Sequence, residues 1–157
     1  MTARRRARTP ASRVREPGSR YALARAGPVV VDASIAFLWL ANEPDRERAD
    51  RLLEASVPLF APALMAVEVT NAWWKKSRRG EMDANDVEQA LTLLFSLRIA
   101  WKPSGPLLRR AVRLATELGH PVYDCVYLAL ATDHAAAIAT ADERLRRAAE
   151  RVDIKTW

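Results

Sequence analysis

Residues 28–32 read PVVVD, three β-branched residues in a row between a proline and an aspartate. A fully apolar run this short is the signature of a strand buried on both faces, as in a parallel sheet covered by helices. Working outward, ASIAFLWLAN (33–42) predicts a helical turn or two. PDRERADRLLEAS (44–56) predicts a charged amphipathic helix, with Pro44 suited to a first helical position and Ala49, Leu52 and Leu53 on the buried face. VPLFAP (57–62) reads as a second strand, and ALMAVEVTNAWWKKSRRG (63–80) as a helix closed by basic residues and Gly80. DANDVEQALTLLFSL (83–97) is another helix, with Asp83 as N-cap and Val87, Leu91, Leu94 and Phe95 along one side.

The second half continues the pattern. RIAWKP (98–103) predicts a third strand and PLLRRAVRLATELG (106–119) a helix ended by Gly119. From Val122, the stretch VYDCVYLALA is apolar almost all the way round, as a buried helix is. AAAIATAD (135–142) predicts a fourth strand, ERLRRAAE a short helix and VDIKTW (152–157) a final strand. Strands alternating with helices indicate an α/β domain with a mostly parallel central sheet.

At 157 residues the chain fits one domain. No stretch approaches the roughly 18 to 20 apolar residues of a membrane span, so no membrane partner is expected. A single cysteine, Cys125, excludes an intramolecular disulfide framework and reads as core packing. Without disulfides or a secretory pattern, the expected location is the cytoplasm. The net charge of +6 is unevenly placed. Residues 1–27 hold eight of the 25 basic residues and one of the 19 acidic ones, so residues 28–157 carry about −1. The basic segment has few large apolar residues and no sustained period, which predicts a disordered extension ahead of a folded domain at 28–157. It is read either as a dispensable extension or as a tail that docks on phosphates.

In a parallel α/β sheet, ligands bind beyond the carboxyl ends of the strands. Asp32 ends the first strand and Asp142 follows the fourth, while Asp124 opens the buried helix on the same side. Each alone could be a helix cap. Glu68 has no such explanation, because it lies mid-helix with Leu64, Met65 and Ala72 as near neighbours on its face. Converging carboxylates would repel one another and raise one another's pKa unless a cation neutralised them. An all-oxygen set suits a hard divalent ion, Mg²⁺ or Mn²⁺, and His120 and His134 do not form a zinc motif. His120 reads as a loop residue. Carboxylate-held Mg²⁺ is the recurring apparatus of phosphodiester hydrolysis.

Four stretches, VVVDASIAFLWL, ALMAVEVTNAWWK, HPVYDCVYLALAT and IATADERL, together resemble the PIN domain and, within it, the VapC toxins of toxin–antitoxin pairs. The resemblance spans roughly residues 29–156 and leaves out the basic segment. It implies a three-layer α/β/α fold with a mostly parallel sheet. It also implies a Mg²⁺- or Mn²⁺-dependent endoribonuclease in which Asp32, Glu68, Asp124 and Asp142 are the metal-binding and catalytic set. Ser34, Asn71 and Thr140 match residues that line the same pocket. The partners it implies are an RNA substrate, a cognate antitoxin, a second copy of the chain in a homodimer, and operator DNA through the antitoxin only.

Trp73 and Trp74 precede four basic residues, yet successive positions cannot share one helix face, and contact with the core or a partner is the expected role. The face at 109–113 is read as solvated surface. A non-catalytic PIN-like module that binds RNA or a partner is the alternative to the enzyme. A phosphotransfer receiver would need an acidic pair after the first strand, and a phosphatase an Asp-x-Asp; this chain has Asp-Ala-Ser there.

Overall fold

The computed structural model describes residues 27–40 and 46–157; the expectations for the basic segment through residue 26 and for Pro44 lie outside them. The elements run β1 (Val29–Val31), α1 (Ala33–Leu40), α2 (Arg46–Glu54), β2 (Leu59–Pro62), α3 (Leu64–Arg78) and α4 (Ala84–Ser96). There follow β3 (Ile99–Lys102), a 3₁₀ turn at Gly105–Leu107, α5 (Leu108–Leu118), α6 (Val122–Asp133), β4 (Ala137–Ala139) and α7 (Glu143–Glu150).

The four strands form one all-parallel sheet in the order β3-β2-β1-β4, flanked by helices. Val29, Val30 and Val31 are all buried, so β1 has no solvent face, as its composition requires. β1 pairs Val30 with Phe60 on one side and with Ile138 on the other. α6 packs against β1, β2 and β4, and α5 packs on α6. Cys125 through Ala131 are buried without interruption, which explains why that helix shows no polar face. α1 packs against α2 and α3, and α3 against α4.

Several expectations are met locally. Asp83 and Asp86 form a capping box at α4. Gly119 ends α5 in the left-handed conformation, at φ 63°, where a residue with a Cβ would be strained. Ala49 and Leu52 are buried as the amphipathic pattern predicts.

Four expectations need correction. Leu53 is 37% exposed, at the edge of the buried stripe of α2. Phe95 is 55% exposed and rests its ring 5.3 Å from that of Trp101, so the apolar side of α4 is wider than the face its neighbours cover. The strand expected at 135–142 holds only Ala137–Ala139, because Ala135 turns at positive φ and residues 140–142 leave the sheet. The final strand reduces to one parallel bridge, Ile138 to Thr156, since residues 151–153 are spent on a turn in which Asp153 has φ 57°.

Candidate active site at the carboxyl edge of the sheet

The chain leaves β1 toward β2 and β3 on one side, then returns to place β4 on the other. The carboxyl ends of β1 and β4 therefore flank the point where strand order reverses, the position at which open parallel sheets bind ligands. Asp32 follows β1 directly, and its N–H donates to Ala139 O of β4 at 3.0 Å. The residue is only 6% exposed. Its Oδ2 accepts from Ser34 Oγ at 2.5 Å, Thr140 Oγ1 at 2.9 Å and Ser34 N at 3.2 Å. The two hydroxyls are themselves fixed, because Ser34 Oγ accepts from Ala141 N at 2.8 Å and Thr140 Oγ1 from Asp142 N at 3.0 Å. The Asp32 carboxylate thus ties together the loops that leave two adjacent strands.

Asp142 is the N-cap of α7: its Oδ1 accepts from Arg144 N at 2.7 Å and Leu145 N at 3.3 Å. Asp124 lies in the first turn of α6, and its Oδ2 stands 2.9 Å from His120 Nε2. That histidine is placed by the left-handed Gly119 before it and by Pro121, the N-cap of α6, after it. Glu68, midway along α3, accepts on Oε2 from the phenol of Tyr127, one turn after Asp124 on α6. Asn71 is exposed and lines a groove with Val67, Trp74, Val87, Leu91 and Phe95 between α3 and α4. The structure therefore sets Asn71 apart in character from Ser34 and Thr140, which touch a carboxylate.

Electrostatics connects the four acids. Burial pushes the Asp32 carboxyl above its ordinary range, against the opposing hydrogen bonds from Ser34 and Thr140. Burial also raises Glu68; Tyr127 opposes the shift, and the charges of Asp32 and Asp124 add to it. Asp124 is raised by burial, held down by His120, and pushed up again by Asp32 and Asp142. Tyr127, fully buried, has its phenol raised far beyond its ordinary value by burial and by Asp32 and Glu68, so it stays a donor. The neighbouring Cys125 thiol is buried and pushed up to about 11, which leaves it protonated and inert near neutral pH.

The donor set is all oxygen and its acids act on one another across a partly buried site, a chemistry that would suit a hard cation. Among the described residues no three His, Cys, Asp or Glu side chains close around a single point. That spacing does not fit a closed protein cage. The chemistry of the donors would suit an ion of the Mg²⁺ kind, which keeps several waters and takes only one or two carboxylates directly.

Two contacts were hidden in the sequence. Tyr127 reads as core because it sits in an apolar run, yet its i,i+3 spacing from Asp124 puts both on one side of α6. His120 stands four residues before Asp124, a spacing that would have paired them had the helix been extended by one turn. Among the described residues no helix is long and apolar enough to cross a membrane.

Comparison with known proteins gives four findings. The PIN domain profile matches residues 29–151. Ribonuclease VapC3 of Pyrobaculum aerophilum is 35% identical over 120 residues, covering 74% of this chain and 91% of that one. Among solved structures, the sarcin-ricin loop cleaving toxin VapC20 of Mycobacterium tuberculosis superposes with a TM-score of 0.62 at 14% identity, covering 76% and 94% of the two chains. VapBC2 of Rickettsia felis, bound to a DNA fragment from its promoter, gives 0.59 at 13% identity over 83% and 97%. At these identities the two structures speak to the fold.

Proposed function

We propose, given that this chain belongs to the PIN-domain family, that it is a divalent-metal-dependent endoribonuclease and the toxin of a toxin–antitoxin pair. One observation carries the reading. Asp32 is joined through Thr140 to the backbone of Asp142, and Tyr127 ties Glu68 to the helix that carries Asp124, so acids from four separate segments are drawn together at the carboxyl edge of the sheet, where their charges act on one another. The similarity to a ribonuclease over most of both chains supports the substrate class.

Asp32, Asp124, Asp142 and Glu68 would hold Mg²⁺ or Mn²⁺, directly or through water. The bound ion would lower the pKa of a water and neutralise charge on the phosphate oxygens. Ser34 and Thr140 keep Asp32 from rotating by donating to its Oδ2. Asp142 is fixed by its cap role at α7, so a single side chain serves both structure and site. A carboxylate of the set would take the proton of the attacking water. Solved structures of similar fold that are toxin–antitoxin complexes support a cognate antitoxin as partner, and operator DNA reached only through that antitoxin belongs to the proposal. A homodimer and a cytoplasmic location belong to the same proposal.

The test is cleavage of total RNA with Mg²⁺ or Mn²⁺ against EDTA, comparing wild type with Asp124→Asn. Fragments that need metal and vanish in Asp124→Asn are the expected result. A folded, antitoxin-free protein that cuts nothing under any of these conditions would overturn the catalytic reading in favour of a binding module.

A further inference from the structure

Tyr127 is the largest polar side chain enclosed in α6, and it is fully buried next to the acids. A tyrosine that served only as core filling would bury a hydroxyl for which phenylalanine has no need, at a cost unless that hydroxyl is bonded. The hydroxyl is bonded, and to one atom of the acid set: it donates to Glu68 Oε2. The bond crosses from α6 to α3, between residues 59 apart in sequence. Glu68 is otherwise a long side chain with three rotatable bonds, in the middle of a helix, repelled by Asp32 and Asp124. Left to repulsion and hydration it would swing toward solvent. A buried donor of fixed position on α6, one turn from Asp124, opposes that swing and keeps Glu68 on the site side of α3.

We propose that Tyr127 is a positioning residue of the metal site, its phenol holding Glu68 of α3 in register with Asp124 of α6. The inference rests on the metal-dependent reading above and goes beyond it, since it assigns a function to a residue that would otherwise be core. Carboxylates that ligate metals are generally oriented by hydrogen bonds from neighbouring groups, and loss of such a partner commonly costs 10- to 100-fold in metal affinity or activity.

The experiment is a double-mutant cycle in Mn²⁺ affinity, measured by titration of the metal-free protein, with Tyr127→Phe, Glu68→Gln and the double variant. Phenylalanine keeps the buried ring and removes only the donor. The expected result is that Tyr127→Phe weakens Mn²⁺ binding by about tenfold in the Glu68 background and by less than about twofold in Glu68→Gln. The same variant should lower kcat more than it raises KM for RNA, a split that loss of packing alone would not produce. Should Glu68→Gln weaken Mn²⁺ binding while Tyr127→Phe does not, or should the tyrosine variant have equal effects in both backgrounds, the positioning role is overturned and the metal site stands. If neither single variant changes Mn²⁺ binding, the positioning role is likewise overturned, and only a wild-type protein that binds no Mn²⁺ would bring down the metal reading itself. If Tyr127→Phe does not fold, the Cζ resonance of Tyr127 in wild-type protein labelled with ¹³C-tyrosine carries the test. It should shift as Mg²⁺ is titrated, and a resonance that ignores Mg²⁺ overturns the inference.

Discussion

His120 Nε2 lies 2.9 Å from Asp124 Oδ2, and the side chains of both are largely enclosed, at 9% and 17% exposure. An enclosed carboxylate needs a partner, and in the metal-free protein the imidazole supplies it. The contact links the loop after α5 to the first turn of α6, so it fixes Asp124 from outside its own helix. Removing the ring leaves the carboxylate free to turn toward water. His120→Ala should therefore weaken Mn²⁺ binding by about tenfold. Glutamine can place an N–H near the position of Nε2, and His120→Gln should recover most of the loss. Calorimetric titration with Mn²⁺ decides this. Equal affinities for wild type and His120→Ala would show that Asp124 needs no support from the histidine.

The raised carboxyls give the stability of the metal-free protein a pH dependence of definite sign. Asp32, Glu68 and Asp124 all stand above their ordinary pKa values, chiefly through burial. Between the unfolded and folded pKa values the folded chain holds more protons than the unfolded one, so stability falls as pH rises through that window. Their contribution is complete at acid pH and lost as the three groups ionise. Asp124→Asn removes one of them, and its melting temperature in EDTA should fall less than that of wild type between about pH 5 and about pH 7. Mg²⁺ should raise the wild-type value more at the neutral end, since ligands bind metal when deprotonated. Scanning fluorimetry across that range reads both slopes. A wild-type slope no steeper than that of Asp124→Asn would contradict the placement of the charge.

The two hydroxyls on Asp32 Oδ2 are not independent. Thr140→Val keeps shape and removes one donor to a buried carboxylate, a loss worth about 1.5 to 3 kcal/mol, together with the acceptor of Asp142 N. Ser34→Ala removes the other donor and also the acceptor of Ala141 N. Both act through one oxygen, so the double variant should lose less than the sum of the singles. Urea unfolding of the four proteins in EDTA measures the cycle. Strict additivity would mean that the hydroxyls do not share Asp32.

How far the sequence disclosed this arrangement depends on the range of each interaction. PVVVD announced a doubly buried strand because burial on both faces leaves no alternation to read. The placement of Asp32 and Asp142 beyond the ends of β1 and β4 followed from the βα rhythm alone. The contact of His120 with Asp124 is not legible in the sequence because it is made by a left-handed turn at Gly119, which a pattern registers only as a helix end. Tyr127 reads as core because a hydroxyl has no weight in hydrophobic periodicity. Phe95 lies on the apolar stripe of α4 yet stays half exposed because the stripe is broader than its neighbours can cover, a matter of packing that local sequence does not carry. The last strand failed for a backbone reason, the turn at Asp153.

Trp73 and Trp74 give the sharpest contrast between neighbours in the sequence. Trp73 is fully buried among the core side chains, whereas Trp74 is 53% exposed in the groove between α3 and α4, with the Arg78 guanidinium 5.8 Å from its ring centroid. Removing the first leaves a cavity the size of an indole in a packed interior, and Trp73→Ala should cost about 3 to 5 kcal/mol. That is a large share of the stability of an ordinary domain, roughly 5 to 15 kcal/mol, so Trp73→Phe is the safer probe and should still destabilise measurably. Removing the second strips a half-exposed ring and a solvent-screened cation contact, and Trp74→Ala should change stability by no more than about 0.5 kcal/mol. Urea unfolding measures the two losses, and iodide quenching should act on Trp74 far more than on Trp73. A Trp74→Ala variant as damaged as Trp73→Ala would mean that the groove between α3 and α4 is part of the core.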